Sequence, residues 1–126
     1  VGSVVADLAK SVDFYTNIIG MTKTGSFSVD GEKSKELGLT DGRPIDVSVL
    51  KLENSPQATE WKLMSFGTKA GHKKPKYIHD DTGMQYITIL VNHLDPIIER
   101  IKENKIKIPK TGGLGDFLAL YRISFR

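Results

Sequence analysis

Two stretches of the chain carry the side chains with the most chemical reach. In Glu60 to Phe66, EWKLMSF, an extended backbone puts Glu60, Lys62 and Met64 on one side and Trp61 and Leu63 on the other. A carboxylate and an ammonium on one strand face can pair with each other or meet a polar ligand at the mouth of a cavity. In Gly67 to Gly83, GTKAGHKKPKYIHDDTG, His72 and His79 are of metal-ligating type, and Lys69, Lys73, Lys74 and Lys76 could meet a phosphate. Nothing in that stretch orients those groups. It has no apolar period, and its glycines and proline describe a solvated linker. Cysteine is absent, which excludes disulfides and zinc-thiolate centres.

The whole chain sets the frame for these residues. With 126 residues and 39% hydrophobic content it suits one domain, or two small modules sharing a core. The formal net charge of +3 is spread over several segments, with no basic helix and no aromatic platform, so a nucleic-acid partner is not expected. No signal-like segment or membrane-length apolar run is present, which predicts a soluble, cytoplasmic protein with no membrane partner.

The elements that must position the candidate residues follow from periodicity. Val1 to Met21, VGSVVADLAKSVDFYTNIIGM, reads as a short strand and then a helix. Asp7 can accept from the free N–H groups of a first helical turn, and Gly20 suits the left-handed stop. Leu8, Val12, Tyr15 and Ile19 form the apolar stripe of that helix, widened by Phe14 and Ile18. Met21 to Val29 is a second strand, and Asp30 to Pro44 an irregular loop. Ile45 to Leu52 and Glu60 to Phe66 are two further strands joined by a turn at Asn54, Ser55 and Pro56.

The plan then repeats. Met84 to Val91 reads as a strand, and Ile97 to Asn104 as a helix with Pro96 in its first turn and the stripe Leu94, Ile97, Ile98 and Ile101. An offset of 86 residues lays Asp7 on His93, Leu8 on Leu94 and Val12 on Ile98. Ile106 and Ile108 alternate with Lys105 and Lys107 as a strand, Gly112 to Gly115 turns the chain, and Phe117 to Phe125 is a last apolar stretch. The second half is one strand short of the first.

Two successive βαβββ modules, the first opening with V-x-D-L-x-K-S-x-D-F-Y-x-x-x-x-G-M, resemble the vicinal oxygen chelate superfamily of glyoxalase I, bleomycin-resistance proteins and extradiol dioxygenases. MQYITILVNHLDPIIERIKENKIKI and FLALYR carry the same resemblance in the second half. It implies an α+β fold in which the modules form a cupped mixed sheet with helices outside. Residues 1–66 would be the first module, 67–83 the linker and 84–126 the second, incomplete module, together one domain.

Members of that superfamily that bind metal take one ligand from the first strand and one from the last strand of each module. Counted from Asp7, the first position falls just before Val1, outside the chain. The second falls on Lys62, whose ammonium has no lone pair to give. The third falls on Tyr86, a weak ligand as a neutral phenol, with Gln85 turned to the other face. The fourth falls after Arg126. No metal ligand is therefore identified within the chain, and no cofactor is visible. A divalent metal would enter only if flanking residues supply the ligands.

The resemblance implies a cavity lined by Glu60, Lys62, Met64, Tyr86 and Thr88, with Ser48 and Arg122 as further candidates. Lys62 and an inward Arg122 favour an anionic small molecule, and Tyr86 offers a flat apolar surface with one donor. A glyoxalase/bleomycin-resistance-like binding protein without the usual metal centre is the expectation. The alternative is a metal-dependent lyase, isomerase or dioxygenase of the glyoxalase I type with ligands outside the chain. Trp61 should pack inward under the helices. A homodimer is expected, since open sheets of this kind present edges that pairing would cover.

Overall fold

A computed structural model of the chain describes residues 1–68, 82–83 and 87–106. The histidines and lysines of the 69–81 stretch, Gln85, Tyr86, the strand from Lys107 onward, the glycine turn and FLALYR with Arg122 lie outside the described residues. The chain divides into two compact units, one built on Val1–Gly71 and the other on His72–Ser124.

The first unit runs β1 (Gly2–Val4), α1 (Leu8–Asp13) with a π-helical continuation (Phe14–Ile19), β2 (Thr22–Val29), α2 (Gly31–Glu36), β3 (Ile45–Lys51) and β4 (Trp61–Ser65). The strands form one sheet in the order β1-β4-β3-β2. β1 runs parallel to β4, and the other pairs are antiparallel. The strand–helix–three-strand order is as the periodicity predicts.

Local chemistry explains the helix. The Asp7 carboxylate accepts from the Lys10 N–H at 3.0 Å, satisfying one free donor of the first turn. Gly20 ends it at φ 94°, a left-handed conformation that costs glycine little. Its second half is π-helical, with N–H groups reaching back five residues, so each residue advances by a smaller angle than in a 3.6-residue turn. That rotates the buried face. Ser11, Phe14, Tyr15, Ile18 and Ile19 are buried, whereas Leu8 and Val12, expected in the stripe, are half-buried.

This face packs on one side of the sheet. Leu50 and Leu63 are fully buried, and Trp61 turns inward with its ring 5.8 Å from that of Tyr15. Phe14 meets Tyr15 edge-on at 5.4 Å. Burial raises the Tyr15 phenol above its ordinary pKa, and the indole N–H of Trp61 pulls the other way. A phenol with a raised folded pKa keeps its proton where the unfolded chain has lost it. Stability is therefore unaffected below about pH 9 and falls as pH climbs through roughly 10 towards the raised value. Tyr15→Phe should flatten that alkaline loss in urea melts run from pH 8 to 11, while costing stability at neutral pH.

The segment expected to be a loop between β2 and β3 contains a helix. The Asp30 carboxylate caps it by accepting from the Lys33 N–H at 2.9 Å, and Lys33 pairs with Glu36 at 3.1 Å. Ser34, fully buried, places its hydroxyl 2.8 Å from that of Thr40. Charges and glycines concealed a capped turn of helix with one small buried residue.

In the second unit α3 (Asp95–Glu103) holds Pro96 in its first turn, where no backbone donor is lost. Ile97 and Ile101 are buried, and Leu94 is exposed. Asn104 closes this helix as its C-cap, the position Gly20 holds in the first, and its amide donates to the Arg100 carbonyl at 2.8 Å. The left-handed conformation falls one residue later, on Lys105 at φ 53°. Ile87 to Val91 do not form the expected strand. A β-rich run becomes a strand only where a neighbour hydrogen-bonds to it, and among the described residues none does. No helix among the described residues is long and apolar enough to cross a membrane.

Candidate functional site

The register of the first unit assigns every strand residue to a face. Lys62 lies between Gly2 on β1 and Val49 on β3, and Met64 between Val4 and Val47. These share the face opposite α1 with Ile45, Val29 and Phe27. Ile45, Val47 and Val49 form a buried apolar cluster against which Val29, Met64 and Phe66 pack. The missing side chain of Gly2 matters here. A Cβ there would sit 3.1 Å from the Met64 terminal methyl, so glycine leaves Met64 room to lie over β1.

Backbone bonds fix this edge. The Lys62 N–H donates to the Val1 carbonyl at 2.8 Å, and the Val5 N–H to the Met64 carbonyl at 3.0 Å. β4 therefore cannot slip by one residue without reversing Lys62 and Leu63. Lys62 Nζ lies 3.3 Å from Glu60 Oε2, with the two side chains 41% and 45% exposed. A pair this open to water contributes at most about 1 kcal/mol to stability. An ammonium has three donors, and among the described residues Glu60 is the one partner of Lys62. The result is a tethered cation with unspent donors at the margin of an apolar sheet face.

The donor set of this edge does not suit a divalent cation. Gly2 and Val4 have no donor atoms in their side chains, and Glu60 is matched to an ammonium that would repel the ion. Among the described residues no three carboxylate, histidine or cysteine side chains converge as a metal site would need.

The expected site residues divide into groups. Glu60, Lys62 and Met64 come together as alternation predicts. Ser48 does not join them: it pairs with Leu63, is 4% exposed, and lines a shallow groove with Val12, Thr16, Asn17 and Lys23 on the α1 side. β3 alternates, so placing Val47 and Val49 beside Lys62 necessarily turns Ser48 away. Thr88 belongs to the second unit, where it is exposed. Tyr86 and Arg122 lie outside the described residues. Val47 and Val49 were not among the expected lining residues. Their alternation was visible in IDVSVLK, but which face they share with Lys62 depends on cross-strand register.

Comparison with known proteins places this geometry in a family. The family model for the Glyoxalase/Bleomycin resistance protein/Dioxygenase superfamily matches residues 1–122. A search of curated proteins found no match. Among solved structures the chain is similar to the trypanothione-dependent glyoxalase I of Leishmania major, with a TM-score of 0.62 and 18% identity over 91% of this chain and 70% of that one. At that identity the likeness is one of fold: a glyoxalase-like α+β architecture. With a βαβββ unit in the order β1-β4-β3-β2 and a family match over nearly its whole length, the chain belongs to the glyoxalase/bleomycin resistance protein/dioxygenase superfamily.

Proposed function

We propose that the chain binds a small anionic molecule with an apolar body on the sheet face that carries Lys62, without the usual metal centre of its superfamily. The observation that carries this reading is the half-exposed Lys62 ammonium, matched to Glu60 at 3.3 Å and flanked in register by Val49. An anion would take the unspent donors of Lys62, and its apolar part would lie along half-buried Met64 and exposed Val4, which is paired with it on the same face. Glu60 would orient the ammonium while disfavouring dianions close to the pair.

A thermal-shift screen of aromatic and aliphatic monocarboxylates tests the reading. Stabilisation by one of them should be weakened roughly tenfold or more in apparent affinity by Lys62→Ala, the loss of one charge-assisted hydrogen bond. Stabilisation that Lys62→Ala leaves intact would sink the assignment. Stabilisation by zinc, nickel or manganese alone would favour a metal-dependent lyase or dioxygenase instead.

A further inference from the structure

Rotation of the buried face by the π-helical turn leaves Leu8 and Val12 only half-buried. They form the apolar wall of the groove that Ser48 lines on the α1 side of the sheet, a space of about 580 Å³. That volume is ordinary for a small-molecule site. Further along the same helix Asp13, Thr16 and Asn17 make the lining polar, and Lys23 of β2 completes it. Ser48 is 4% exposed, yet among the described residues its hydroxyl has no hydrogen-bond partner. Burying an unpartnered hydroxyl is costly, and an acceptor on a ligand in the groove would offset that cost. Asp13 and Lys23 also bring opposite charges to this one groove without pairing with each other. The Asp13 carboxylate accepts from the Asn17 amide at 2.5 Å, and among the described residues Lys23 meets no carboxylate. Charges that neutralise each other need no ligand, whereas charges that stand apart suit one carrying both signs.

We infer that this groove binds a free apolar α-amino acid, at a site separate from the Lys62 face and independent of any ligand there. Ser48 pairs with Leu63, so its side chain points to the side of the sheet away from Lys62. The ligand carboxylate accepts from the Lys23 ammonium and the Ser48 hydroxyl. Its ammonium donates to the Asp13 carboxylate and to the Thr16 hydroxyl oxygen, which is left as an acceptor because its proton goes to the Val12 carbonyl at 2.8 Å. The apolar side chain lies on Leu8 and Val12. A ligand with one charge leaves either Asp13 or Lys23 without its counterpart, which is how the groove selects for both.

Amide NMR of the full 126-residue chain tests the proposal with three probes. These are L-leucine, 4-methylpentanoate, which lacks the ammonium, and 3-methylbutylamine, which lacks the carboxylate. L-leucine at millimolar concentration should shift signals between Leu8 and Asn17, at Lys23 and at Ser48. Each analogue should bind the groove about tenfold more weakly or worse, having lost one charge-assisted contact. Ser48→Ala should weaken leucine about threefold to tenfold without lowering the urea midpoint, since its hydroxyl has no partner within the fold. With Lys23→Met, leucine and 3-methylbutylamine should differ by less than about threefold, because the carboxylate has lost its charged partner. Absence of shifts in the groove would overturn the proposal, as would shifts confined to Lys62 and Met64 on the other face. So would a leucine affinity that Ser48→Ala and Lys23→Met both leave unchanged, or an analogue that fills the groove as well as leucine does.

Discussion

Leu63→Ala is expected to lower the unfolding free energy by about 3.5–5 kcal/mol, the upper half of the range for deleting a buried leucine side chain. Leu63 is fully buried in β4, which lies between β1 and β3. Its cross-strand neighbours on the same face are Ser3 and Ser48, both too small to close over the space left behind. The cavity term therefore adds almost in full to the lost transfer free energy. For a small domain that is a large share of total stability. Trp61, the one tryptophan of the chain, sits two residues away and reports unfolding by fluorescence in urea. Leu63→Met, which conserves volume, should cost less than about 1.5 kcal/mol in the same titration. Equal losses for the two variants would mean that packing at this position is not what holds β4 in register.

Gly31→Ala is the second large effect, and its sign runs against helix propensity. In an unconstrained helix the change would gain up to about 1 kcal/mol. Here the added Cβ would lie 2.1 Å from the Gly42 carbonyl oxygen, a backbone atom with little freedom to retreat. The Thr40 hydroxyl pins that loop, accepting from Gly42 N–H at 3.2 Å and Arg43 N–H at 2.9 Å and bonding to the Arg43 carbonyl at 2.9 Å. Relieving the clash means breaking these bonds or displacing α2. The expected net cost is about 1–3 kcal/mol, as for overpacking elsewhere. Hydrogen exchange should localise the loss to residues 31–43, with β3 and β4 keeping their protection. A stabilised Gly31→Ala protein would contradict the close approach.

What the sequence discloses about this fold follows from which forces are local. Asp7 and Gly20 mark the helix ends because capping and left-handed stops are decided within a few residues. Period-two alternation likewise separates Trp61 and Leu63 from Lys62 and Met64. The π-helical turn from Phe14 is not legible in this way, because a 3.6-residue stripe can be drawn through Leu8, Val12, Tyr15 and Ile19 whether or not the turn widens. α2 is concealed by its composition: GEKSKE has one small buried residue, Ser34, and no apolar stripe to detect. For the candidate site, alternation brings Glu60, Lys62 and Met64 together, but Ser48 could be assigned only once β3 was set in register against β4. Ile87 to Val91 show the limit from the other direction, since their composition favours a strand while strand formation depends on a partner distant in sequence.

The central claim is that a tethered ammonium, Lys62, supplies the positive charge with which this face meets its ligand. The most direct measurement takes the carboxylate that stabilises the chain best and titrates it calorimetrically into protein stripped with chelator, then into the same protein with a divalent cation restored. The same affinity is expected in both titrations, with a roughly tenfold or greater loss with Lys62→Ala in each. Binding that disappears on stripping and returns with the cation would contradict it.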